Sequence, residues 1–76
     1  MELSLDRLRL NRWATVVSID TEETMRERLK DFGLIPGTKV RRRFTSPHGD
    51  VAAIAFRGSL LALRVGDLKR IKVKSL

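Results

Sequence analysis

The chain of 76 residues has no cysteine and no tyrosine, and only two prolines, one histidine and one tryptophan. Without cysteine there can be no disulfide, thiolate nucleophile, zinc knuckle or iron–sulfur ligation. Short secreted domains usually lean on disulfides, so their absence points to a reducing, cytoplasmic setting. No apolar run approaches the roughly 20 residues that span a bilayer, and the N-terminus has no signal-peptide apolar core. With His48 as the one histidine, a transition-metal site of three or four protein ligands lacks its usual donors. His48 sits in the turn-forming run Ser46-Pro47-His48-Gly49-Asp50, where Asp50 is expected to bond nearby backbone N–H groups. No serine is offered both a base and a third group to orient it. The glycines are dispersed over turns, which excludes a phosphate-cradling loop. The expectation is a protein that is not an enzyme and has no metal, cofactor or small-molecule substrate.

What the chain does have is positive charge: 16 lysines and arginines against 9 acidic residues, a net +7. An acidic partner fits that balance, whether nucleic acid, an anionic membrane or an acidic protein surface. The length allows one domain, residues 1–76, and a domain this small buries only about 60% of its unfolded surface.

The densest local signals run from Met25 to Val40. Met25, Leu29 and Phe32 recur at helical spacing and predict an amphipathic helix from about Glu22 to Phe32. Asp20 or Thr21 is expected to cap its start, Asp20 and Glu23 having capping-box spacing. Gly33 falls where a left-handed residue ends a helix, which would pair Leu34 with Leu29 in a Schellman contact. Ile35-Pro36-Gly37-Thr38 fits a type II turn, with proline setting φ at its second residue and glycine allowing positive φ at its third.

Strands are expected at Trp13–Ile19, Thr38–Thr45, Val51–Arg57, Leu60–Arg64 and Arg70–Lys74. Gly58-Ser59 reads as a two-residue type II′ hairpin loop, and Val65–Leu68 as a single helical turn. The N-terminal leucines Leu3, Leu5, Leu8 and Leu10 should form a turn or short helix against the core. Five short strands favour a closed barrel, which hides sheet edges. The fold expected is all-β with one short helix, a five-stranded SH3-like barrel with the helix between strands 1 and 2.

Several blocks together resemble the FeoA family, small cytosolic partners of the bacterial ferrous-iron transporter FeoB. They are Met25-Arg26-x-Arg28-Leu29-x-x-Phe32-Gly33-Leu34-Ile35-Pro36-Gly37-Thr38, Pro47-x-Gly49-Asp50, Arg57-Gly58, Leu61-Ala62-Leu63-Arg64 and Ile71-x-Val73. One departure is Asn11-Arg12-Trp13, where the family usually has a glycine; Asn11 can fill that turn because asparagine tolerates positive φ. The resemblance implies an SH3-like barrel, no catalysis, and a role in assembling or regulating FeoB, with the membrane reached only through that partner. A related domain forms the C-terminal module of some iron-dependent repressors.

Two surfaces compete for the partner. Arg26 and Lys30 form a basic stripe on the helix, and Ile35 and Pro36 follow in the next turn, where Ile35 either projects as an apolar anchor that suits a protein partner or folds inward. The other is the strand run Arg41-Arg42-Arg43, in which Lys39, Arg41 and Arg43 share one face. Arg42 then points inward and needs a bulge, a place at the rim or a carboxylate partner. Nucleic-acid binding, the alternative function, would want aromatic stacking platforms. Trp13, Phe32, Phe44 and Phe56 are expected in the core instead. The same shortage argues against an SH3-type groove for proline-rich peptides.

Overall fold

Alternating inward and outward residues build one antiparallel sheet of six strands, in a computed structural model that describes residues 1–76. The strands are β1 (Glu2–Ser4), β2 (Trp13–Ile19), β3 (Lys39–Thr45), β4 (Val51–Phe56), β5 (Ser59–Arg64) and β6 (Ile71–Ser75). Their spatial order is β1-β6-β2-β3-β4-β5. Helix α1 (Glu23–Asp31) lies between β2 and β3, and the single turn α2 (Val65–Leu68) between β5 and β6. A flat layer would be on the order of 10 Å thick, whereas the chain measures 28 × 25 × 22 Å. The sheet is therefore rolled about its core as a small SH3-like barrel. Ala14 and Val16 of β2, Val40 of β3, Ala52, Ile54 and Phe56 of β4, and Ile71 and Val73 of β6 line the inside.

The N-terminal segment adds a sixth strand to the five expected. Glu2–Ser4 pairs with β6, Leu3 opposite Val73, before a 3-10 turn at Leu5–Arg7. Leu5 and Leu8 are buried, but Leu10 is on the surface. Asn11 takes φ +64°, the positive-φ turn anticipated from its side chain.

The end of α1 follows the local chemistry closely. The Leu34 N–H donates to the Leu29 carbonyl at 2.8 Å and the Gly33 N–H to that of Lys30 at 2.9 Å. Those bonds, with Gly33 at φ +92°, are the Schellman pair. Leu29 and Leu34 are buried against each other's turn. The next turn closes with Thr38 N–H to Ile35 carbonyl at 3.0 Å and Gly37 at φ +96°. Thr38 Oγ1 donates to the Gly33 carbonyl at 3.1 Å and accepts from the Ile35 N–H at 3.2 Å, tying the two turns together. Gly33→Ala is expected to cost about 1 kcal/mol or more, because a Cβ is strained at positive φ. An added Cβ would meet only ordinary contacts, with Arg57 Cδ at 3.7 Å. Strain is thus the whole effect, and an unchanged urea midpoint for Gly33→Ala would refute it.

Other local expectations are corrected. The residue capping α1 is Glu22, and no side chain accepts a capping hydrogen bond there. Asp20 and Thr21 do not close a box; Thr21 Oγ1 is buried without a partner. The hairpin loop between β4 and β5 is Arg57-Gly58, one residue earlier than Gly58-Ser59, since Phe56 pairs with Ser59. Both loop residues have positive φ, 51° and 79°, the pattern of a type I′ turn, whose twist matches the flanking strands. Sheet twist outweighed the local preference for glycine at the first loop position.

Candidate interaction surface

The site is built on β3, whose residue run cannot alternate cleanly. A bulge between Arg42 and Phe44 shifts the β3–β4 register. It absorbs one residue, so that Phe44 opposes the outward Ala53 while Arg42 opposes the core residue Ile54. Arg42 turns inward and spends its guanidinium on backbone. Nη1 donates to the carbonyls of Asp6 at 2.9 Å and Leu8 at 3.0 Å, and Nη2 to Thr45 Oγ1 at 2.7 Å. The Asn11 N–H donates back to the Arg42 carbonyl at 2.6 Å. Carbonyls and the Thr45 hydroxyl take up both terminal nitrogens of the inward arginine, where a carboxylate partner was one expectation, and its Nε is buried without a partner. The bonds hold the Asp6–Asn11 loop and so set where β2 begins, at Trp13.

The aromatic residues lie mostly outside. Phe56 is buried, but Trp13 is 44%, Phe44 56% and Phe32 58% exposed, against the expectation that all of them are core. The register gives the reason. Ala14 and Val16 occupy the inward positions of β2, and strand alternation sends Trp13 outward. Trp13 lies opposite Arg41, whose guanidinium sits 5.1 Å from the ring centroid, within cation–π reach. Phe32 caps the C-terminal end of α1 and lines a depression with Met25, Leu29 and Leu61, on the apolar side of the helix but largely open to solvent.

Ile35 and Pro36 are exposed at the turn after α1. They line one depression together with Trp13, Lys39, Arg57 and Gly58, which the type I′ hairpin brings beside them. Arg26 and Lys30 are exposed on α1 but are not among the residues lining that depression. The structure therefore joins two of the four residues picked from the sequence and adds Trp13 and Arg57. Trp13 was legible from the alternation with Ala14 and Val16. Arg57 was not, because its position depends on the hairpin register.

The Ser46–Asp50 turn bonds to itself. Ser46 Oγ donates to Asp50 Oδ1 at 2.8 Å and accepts from the Val51 N–H at 3.2 Å. Asp50 thus reaches the backbone through Ser46, not directly as its residue type led one to expect. No group of three or more His, Cys, Asp or Glu side chains comes together, and no helix is long and apolar enough to cross a membrane. The purified protein is expected to hold no ferrous iron at a stoichiometric site. Anaerobic calorimetry checks this: tight one-to-one binding that His48→Ala abolishes would overturn it.

The comparisons with known proteins agree with this architecture. No curated protein sequence matches the chain. The FeoA protein from Chlorobium tepidum is 32% identical and superposes with a TM-score of 0.94, over 97% of this chain and 70% of that one. A FeoA-like protein from Clostridium acetobutylicum is 29% identical with a TM-score of 0.85, over 99% and 87%. A manganese-dependent transcriptional repressor shares the fold at 20% identity and a TM-score of 0.87, this chain covering 42% of it. A sequence model of the FeoA domain matches residues 3–75, nearly the whole of the six-stranded barrel, and the chain belongs to the FeoA domain family.

Proposed function

We propose that the chain supports ferrous-iron uptake without catalysis, as a cytoplasmic adaptor that docks on the cytoplasmic part of an FeoB-type transporter. The observation that carries the reading is the depression joining Ile35 and Pro36 to Trp13 and Arg57, on a chain whose family match covers residues 3–75. Exposed apolar groups beside cations are what a protein interface uses: anchors to desolvate and charges to steer approach. A structure described as an iron uptake regulatory protein, 26% identical with a TM-score of 0.84 over 100% of this chain, supports the same reading. The test is direct binding between the purified chain and the purified cytoplasmic region of the transporter from the same cells. Saturable binding that varies little with salt is the expected result. No binding would overturn the docking. Retention of duplex DNA with a log–log salt slope near −0.9 per phosphate would favour the nucleic-acid alternative.

A further inference from the structure

Trp13 borders a second depression on the outer sheet face, walled by Phe44 and Leu60 and floored by Ala55. The register explains the grouping: Trp13 lies opposite Arg41, Arg41 opposite Ala55, and Ala55 opposite Leu60, one outward row across four strands. Phe44, released outward by the bulge, stands over the next row beside Ala53. Trp13, Phe44 and Leu60 are 44%, 56% and 57% exposed. Arg43 and Arg57 stand at the rim. Lys39 and Arg12 flank Trp13 on its other sides. No aspartate or glutamate lines any of these depressions.

We propose that this outer face of β2–β5 binds an anionic bilayer surface directly, with Trp13, Phe44 and Leu60 entering the headgroup region and Lys39, Arg43 and Arg57 meeting lipid phosphates. The proposal goes beyond docking on the transporter, through which alone the chain was expected to reach a membrane. Charge complementarity selects the ligand: depressions lined by arginine and lysine, with no aspartate or glutamate side chain, suit a sheet of negative charge. An indole ring favours the membrane–water boundary because one end is apolar and its N–H is polar. A nucleic-acid strand would need free ring faces along a groove. Here Arg41 covers one face of the indole, and Leu60 offers nothing to stack on.

The single tryptophan is a built-in reporter. The purified chain should sediment with vesicles of phosphatidylcholine and phosphatidylglycerol, and not with phosphatidylcholine alone. Trp13 emission should shift blue and be quenched by brominated lipid, and added salt should reverse both. Lys39→Ala with Arg43→Ala removes two exposed cations and should weaken vesicle affinity roughly 30-fold. The pair Arg26→Ala with Lys30→Ala, equal in charge but on the helix, should change it less than about threefold. Phe44→Ser should keep the salt-sensitive attachment but lose the quenching. Equal losses from the two cation pairs, or sedimentation with unshifted emission, would overturn the proposal. So would absence of sedimentation while oligothymidylate quenches Trp13. No transporter is present in the assay, so failure here leaves the docking reading standing.

Discussion

Arg42→Met is expected to destabilise the domain by about 2–4 kcal/mol, a large share of the roughly 4–11 kcal/mol available to a chain of this size. Methionine keeps most of the apolar stem but cannot donate, which leaves the carbonyls of Asp6 and Leu8 without the bonds that now satisfy them. An unmade bond to a buried carbonyl costs about 1–3 kcal/mol, more than the bond itself contributes. The loop those carbonyls belong to carries Leu5 and Leu8, both in the core cluster, so losing its anchor loosens apolar packing as well. Urea unfolding measures the effect, and Arg42→Lys should recover part of it by donating to one carbonyl. A midpoint for Arg42→Met equal to that of the parent would mean that the guanidinium contributes nothing net. Exposed Arg43→Met provides the comparison and should change stability by less than about 0.5 kcal/mol.

The same residue shows where the sequence was legible and where it was not. The need for something unusual at Arg42 followed from alternation alone, since Val40 and an inward arginine share a face. The answer, a bulge plus two carbonyls from a loop 34 and 36 residues away, is tertiary. Sequence carries no direct sign of such a contact. By contrast, Gly33, Leu34, Pro36 and Gly37 act through their nearest neighbours, and the Schellman end and the turn after it could be read outright. The β4–β5 hairpin fell between these cases. Glycine marked the turn, but the register decided which residue preceded it. That residue is Arg57, at φ +51°.

The aromatic residues failed for another reason. All were expected inside, but Trp13 alternates outward from Ala14 and Val16, the bulge turns Phe44 out, and Phe32, despite its helical spacing with Met25 and Leu29, is 58% exposed. In a domain of 76 residues the core is small, and alanine, valine and leucine fill most of it. Large rings left over on such a surface are informative about binding. Half of the candidate surface was therefore visible in the Ile35-Pro36 step. Of the other half, the outward direction of Trp13 followed from its alternation with Ala14 and Val16, whereas Arg57 required the register of the β4–β5 hairpin.

Ile35→Asp is expected to weaken binding to the transporter's cytoplasmic region by at least about 30-fold, the loss typical of a central interface residue. The side chain is 40% exposed, so a carboxylate there stays hydrated in the free protein and costs the fold little. On docking it would be stripped of water against an apolar contact, without a hydrogen-bond partner to compensate. The backbone bonds of Ile35, its N–H to Thr38 Oγ1 and its carbonyl from the Thr38 N–H, do not involve the side chain and should persist. The circular dichroism spectrum and melting curve should accordingly match the parent, while iron-uptake support falls with binding. Arg26→Glu with Lys30→Glu should act differently: charges at a rim mainly steer approach, so the association rate should fall and its salt dependence shrink. Should Ile35→Asp melt far below the parent, the position contributes to packing, and Lys30→Glu carries the test of this edge in its place. The decisive contrast is with the strand face. If Arg41→Glu with Arg43→Glu eliminates binding in solution while a folded Ile35→Asp variant binds normally, the transporter meets β3, not the turn after α1.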